Sequence, residues 1–182
     1  MSKERDPEGG ERHSVWLMPC RADETLLSTI VEELAAAFAS PVFQPHLTLV
    51  EDMPASAGRL AGPIAEIASA AAAFPAPVTS ISATDAFFRS LYAAFEPAGE
   101  LLRLKEACMS RLAAGSAANF LPHVSLAYGP VAPSAKAAAQ ERLAGRLAGR
   151  PITFDRLCVV RSAQTIPIAE WRIATSHNLG PR

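Results

Sequence analysis

Two segments of this chain, FQPHLTLVEDMP (43–54) and FLPHVSLAYGPVAP (120–133), repeat one pattern: Phe, any residue, Pro, His, aliphatic, hydroxyl, Leu. An Ala-rich stretch of helical character follows each copy. A strand then opens with Pro, an aliphatic residue and Thr, as Pro77-Val78-Thr79 and Pro151-Ile152-Thr153. A single H-x-[ST] between apolar residues is a weak signal, whereas two in matching context are far rarer. Two copies of one strand–helix–strand unit, around 43–83 and 120–161, constrain the chain to two lobes related by a pseudo-two-fold axis. Equivalent residues then face each other across the cleft between the lobes.

Alternate side chains of a strand share a face. His46 and Thr48 therefore point one way and Leu47 and Leu49 the other; His123 and Ser125 stand likewise against Val124 and Leu126. Each copy presents an imidazole and a hydroxyl to the cleft and buries its aliphatics. Hydrolysis of a phosphodiester needs a base to activate water and an acid to protonate the leaving alkoxide, and two imidazoles can fill both roles. Thr48 and Ser125 can donate hydrogen bonds to the non-bridging oxygens as charge develops. A zinc site would need further ligands at matching spacing, so no metal and no cofactor are expected. His13 and His177 lack a hydroxyl two residues on in such a context and read as surface or structural residues. Arg89 and Arg161 fall near predicted strands and read as solvated, though within reach of a phosphate.

The remaining elements alternate. SVWLM (14–18) is a strand closed by Pro19, and Asp23 is placed to cap a helix carrying Leu26, Leu27, Ile30, Val31, Leu34 and Phe38 at helical spacing, ended by Pro41. A helical region from about 54 to 74 is expected to break near Gly62-Pro63. Segments 77–83 and 87–95 read as strands joined at Thr84-Asp85, and Pro97 suits the first turn of a helix reaching Leu112. Residues 133–147 form another helix, and strands near 151–161 and 169–176 close the chain. The pattern predicts an α+β fold with antiparallel sheets. A doubly wound parallel sheet is disfavoured, because no Gly-rich phosphate loop follows the first strand.

Composition narrows the substrate. Over 182 residues, 17 Lys and Arg nearly balance 18 Asp and Glu. The basic stripe that would neutralise many phosphates of a long nucleic acid is missing, which favours a small molecule or a chain end. Cys20, Cys108 and Cys158 are far apart, without CxxC or a secretory pattern, and read as reduced thiols of a cytoplasmic protein. No apolar run is long enough to suggest a membrane partner. The charged, Gly-rich residues 1–12 read as a disordered tail, and 13–182 as a single bilobal unit.

With its two H-x-[ST]-x motifs in tandem, the sequence resembles the 2H phosphoesterase superfamily, most of all the cyclic phosphodiesterase branch known from plants. The resemblance runs from SVWLMP (14–19) through PVFQPHLTL (41–49), FFRSLYAAFEP (87–97) and FLPHVSLAYG (120–129) to the closing 156–179. It implies a bilobal fold of two antiparallel sheets with helices packed outside and a central cleft. The activity it implies is metal-independent hydrolysis of ADP-ribose 1″,2″-cyclic phosphate and nucleoside 2′,3′-cyclic phosphates, with a 2′-phosphate as the nucleotide product. His46, Thr48, His123 and Ser125 fall on the catalytic motifs. Tyr128 matches a tyrosine near the attacking water, and Trp16 and Phe88 match aromatics that could hold base or sugar. The parity of Tyr128 is wrong for a straight strand shared with His123, so it reaches the cleft only if the strand bends or ends near Gly129. No partner that would orient either imidazole is visible, and the acid/base assignment stays open, with His123 as base and His46 as acid the working expectation.

The expected partner is thus a small cyclic phosphate, acted on by a monomer. Two alternatives stand beside it. One is an RNA-end phosphoesterase of the 2′-5′ RNA ligase-like or oligoadenylate-hydrolysing kind. The other is a nucleotide-binding module without turnover, against which the two complete motifs argue.

Overall fold

The computed structural model describes residues 11–180. Of the expected tail, residues 1–10 lie outside the described residues. Arg12 is held, its guanidinium donating to the backbone carbonyl of Asp52 at 3.0 Å and to its carboxylate at 3.1 Å.

Five elements occur twice in the same order. The first set is β1 (His13–Pro19), α1 (Arg21–Phe38), β2 (Leu47–Met53), α2 (Ala57–Ser69) and β3 (Phe74–Ala83). The second is β4 (Leu91–Phe95), α3 (Gly99–Arg111), β5 (His123–Ala127), α4 (Pro133–Leu147) and β6 (Pro151–Arg161), and β7 (Arg172–Asn178) is added at the end. The strand–helix–strand repeat of the sequence is the second part of this longer unit.

All strand pairs are antiparallel, in the order β1-β2-β5-β4-β3-β6-β7 with β1 also paired to β6. The sheet divides into two three-stranded parts, β6-β1-β2 and β3-β4-β5, the first holding two strands of the first set and β6 of the second, the other the strands β4 and β5 of the second set with β3 of the first. The two expected sheets are hydrogen-bonded to each other along two seams. One is the short β2–β5 contact at Leu47 and Val124; the other runs from Phe74–Phe154 to Pro77–Pro151. The long β6 makes the second seam possible, since one end pairs with β3 while the remainder pairs with β1 and β7. The sheet therefore closes on itself.

Helices cover one face of this sheet, and they do so in exchange. α1 packs on β5 and α3 on β2, while α2 packs on β6 and α4 on β3. The apolar stripes of all four helices, including Leu27 and Ile30, Leu60 and Ile64, Leu101 and Leu104, and Leu143 and Leu147, meet the buried Leu47, Leu49, Val124 and Leu126 in one core. The predicted parity thus sends the aliphatics of both motifs under the helices. It leaves the opposite face for the polar residues.

Several local expectations change. Asp23 does not cap α1, which starts at Arg21 after Cys20. Its buried carboxylate instead accepts from the Thr153 amide at 2.8 Å, tying the first turn of α1 to β6. α2 continues through Pro63. The ring costs the bond to the Arg59 carbonyl, but Arg59 and Gly62 are exposed, where water replaces it. Phe87–Arg89 is a 3₁₀ turn and not strand. The Thr84 hydroxyl organises it by donating to the Arg89 carbonyl and accepting from the Ala86 amide. Pro97 precedes α3, whose N-cap is Ala98. Cys20, Cys108 and Cys158 are free. Among the described residues, no helix is long and apolar enough to cross a membrane.

Candidate active site

The β2–β5 seam builds the site. Leu47 pairs with Val124, so by the same antiparallel register His46 stands beside Ser125 and Thr48 beside His123. Each imidazole thus neighbours the hydroxyl of the other copy. A cavity of about 120 Å³ opens here, and all seven residues singled out from the sequence line it: His46, Thr48, His123, Ser125, Tyr128, Trp16 and Phe88.

Both imidazoles are oriented by backbone. His46 Nδ1 lies 2.7 Å from the Gln44 carbonyl oxygen, and His123 Nδ1 lies 2.8 Å from that of Leu121. A carbonyl can only accept, so Nδ1 carries the proton in both rings and Nε2 is left as the nitrogen with an open lone pair. The partners sit two residues before each histidine, across Pro45 and Pro122. The prolines of the repeated pattern hold the chain extended there, which was the available signal for these orienting groups.

Burial sets the charge state. It pushes His46 down to about 4, partly offset by the Gln44 carbonyl and reinforced by His123. His123 is only half-buried, and burial lowers it too. The Leu121 carbonyl and the Glu51 carboxylate counter that shift, while Arg89 adds to it.

An aromatic from the neighbouring strand backs each ring. Trp16, 3% exposed, stacks on His46 with centroids 3.5 Å apart and planes at 8°. One face of its indole is taken by the imidazole, so Trp16 backs His46 while still lining the cavity. Tyr92 is its counterpart, edge-on to His123 at 5.2 Å. The register makes the two equivalent, for Trp16 pairs with Thr48 and Tyr92 with Ser125. Sequence reasoning missed Tyr92, although Ser14-Val15-Trp16 and Ser90-Leu91-Tyr92 repeat a Ser-x-aromatic pattern.

Tyr128 enters the cavity as parity required, because β5 ends at Ala127 and Gly129 adopts a positive φ of 97°. Burial pushes its phenol up, against a hydrogen bond with Ser125. Its ring stacks on Phe43 at 3.7 Å. Phe88 lies edge-on to Tyr128 at 5.3 Å and stacks at 5.9 Å on Trp171, a cavity residue the sequence did not reveal. The Ser125 hydroxyl donates to the Phe88 carbonyl at 3.0 Å, while that of Thr48 has no partner among the described residues. His13 is buried with Nδ1 on the Ala55 carbonyl, and His177 contacts Thr175; neither lines the cavity. No three of the described His, Cys, Asp and Glu residues stand together as a metal-ligand group.

A cyclic phosphodiesterase of Arabidopsis thaliana is 24% identical over 173 residues, covering 93% of this chain and 96% of the relative. Among solved structures, TT0787 of Thermus thermophilus superposes with a TM-score of 0.61 at 18% identity, over 93% of this chain and 98% of that one. Escherichia coli LigT, in complex with 3′-AMP, gives 0.59 at 15% identity, over 94% and 99%. The family model of the 2′-5′ RNA ligase superfamily matches residues 28–165, a span that holds both histidine motifs. The chain therefore belongs to the 2′-5′ RNA ligase superfamily, the group of 2H phosphoesterases.

Proposed function

We propose that this chain is a cyclic phosphodiesterase that hydrolyses nucleoside 2′,3′-cyclic phosphates and ADP-ribose 1″,2″-cyclic phosphate with His46 and His123 as acid–base pair. The observation that carries the reading is the matched pair of imidazoles in one cavity, each with Nδ1 fixed on a backbone carbonyl and Nε2 free. The relative named cyclic phosphodiesterase supports it. LigT structures holding 3′-AMP and phosphate fit a ligand of this size.

Burial favours exchanging the roles expected from the sequence. His46, pushed down to about 4, is neutral at pH 7 and suits the base. An anionic phosphodiester between the rings raises both imidazoles, and His123, less buried and near Glu51, takes the proton first. Water attacks phosphorus as His46 Nε2 removes its proton. The bond to the leaving sugar oxygen then breaks, and His123 Nε2 supplies the proton that oxygen needs. Thr48 donates to a non-bridging oxygen. Ser125 does the same by giving up its bond to the Phe88 carbonyl.

An assay in EDTA of a 2′,3′-cyclic nucleotide, ADP-ribose cyclic phosphate and short RNA ends, side by side, tests this function. The expected result is turnover of the small cyclic phosphates. Turnover of RNA ends alone would move the assignment to an RNA-end phosphoesterase, and binding without turnover to a nucleotide-binding module.

A further inference from the structure

The His123 end of the cleft continues into a second groove of about 300 Å³, which shares Thr48, Glu51 and His123 with the catalytic cavity. Arg89 and Lys105 also line it. Arg89 is half-buried, its Nε is buried without a hydrogen-bond partner, and its guanidinium forms no ion pair or hydrogen bond with any described residue. The contact it does make is with the Tyr92 ring, 5.7 Å from the centroid. The other two half-buried arginines among the described residues are both paired, Arg12 with Asp52 and Arg156 with Glu24 and Asp155. Lys105 donates to the Leu49 carbonyl at 2.7 Å and lies 5.4 Å from the Phe120 centroid. Against these two cations the groove sets one carboxylate, the exposed Glu51.

A partly desolvated guanidinium without a partner is costly, and an anion that satisfies its planar donors recovers that cost. We propose that this groove is a second anion subsite, in which Arg89, assisted by Lys105, takes a further phosphate of the same substrate, the one on the 5′ oxygen of a 2′,3′-cyclic nucleotide. The inference rests on the cyclic phosphodiesterase reading, since the cyclic phosphate must occupy the histidine cavity for the 5′ group to reach the groove beside it. Arg89 is then a specificity residue. It selects for a second charge and leaves the chemical step to the histidines.

The test compares kcat/KM for adenosine 2′,3′-cyclic phosphate with that for the same compound carrying a 5′-phosphate, and for a dinucleotide ending in the cyclic phosphate. A charge-assisted bidentate contact predicts a preference of about tenfold or more for the 5′-phosphorylated compounds. Arg89→Met is expected to reduce that preference to about threefold or less, Arg89→Lys to retain part of it and Lys105→Gln to lower it modestly. Taking the ratio of substrates cancels any general effect of Arg89 on His123. A preference shown by the monoester alone assigns the subsite to mononucleotides, and one shared by the dinucleotide assigns it to chain ends; both support it. Equal kcat/KM values in the unmodified protein overturn the subsite, as does a preference that survives Arg89→Met. Should no compound be turned over, the hydrolase reading fails by itself, and the same ratio measured as Kd decides on the subsite.

Discussion

Replacing His46 with Ala is expected to lower kcat/KM by about 10²–10⁴ on every phosphodiester substrate, whereas His123→Ala does so only where the leaving group is an alkoxide. A sugar oxygen leaves poorly without a proton, and His123 Nε2 is the donor assigned to supply it. A 4-nitrophenyl phosphodiester leaves as a stabilised phenolate and needs no such proton. Its hydrolysis is therefore expected to drop about tenfold or less in His123→Ala while still failing in His46→Ala. On 2′,3′-cyclic AMP the double variant is expected to be little worse than the poorer single one, because the two groups act as a unit. Steady-state kinetics of the three variants on both substrate types reads all of this. The opposite pattern, with His46→Ala rescued by the good leaving group, would restore His123 as base.

Acid is expected to destabilise the protein through His46 by about 3 kcal/mol between pH 7 and pH 4. The imidazole binds a proton near pH 6.5 when unfolded and at about 4 when folded. Between these values the unfolded chain holds the extra proton, so stability is fully present above the unfolded value and is lost as pH falls toward the folded one. His123 shifts in the same direction and adds to the loss. Urea unfolding at both pH values checks it with His46→Gln, which keeps a polar side chain but cannot titrate. The unmodified protein is expected to lose about 3 kcal/mol more than this variant over that range. Equal losses would mean that His46 is not held neutral by burial.

That the histidines and hydroxyls of both motifs line one cavity was legible because the determinants are local. A histidine and a hydroxyl two residues apart share a strand face by geometry alone, and the repeat announced that the arrangement occurs twice. For Tyr128 parity gave only a condition, that the strand bend or end near Gly129, and β5 meets it by ending at Ala127. What escaped depends on the backbone or on distant pairing. The carbonyls of Gln44 and Leu121 leave no mark in residue identity beyond the proline that follows each. Trp171 reaches the cavity from the β6–β7 connection, which becomes a neighbour of Phe88 only once the sheet has closed. Phe87–Arg89 reads as a strand from its aromatics, but the Thr84 side chain competes for the backbone and turns it.

The same logic explains the global shape. The repeat pointed to two equivalent sheets, and the three-stranded halves bear this out. It gave no sign of the exchange of helices between copies, since α1 and α3 each cover the histidine-motif strand of the other copy. One core therefore packs behind both histidine-bearing strands.

Both histidines are expected to be needed to open a cyclic phosphate, and the most direct measurement follows 2′,3′-cyclic AMP by ³¹P NMR in EDTA with the unmodified protein, His46→Ala and His123→Ala at equal concentration. The predicted result is a phosphomonoester signal growing with the unmodified protein and a rate lower by about 10²-fold or more with either variant. Undiminished hydrolysis by either variant, or no hydrolysis by the unmodified protein, would contradict it.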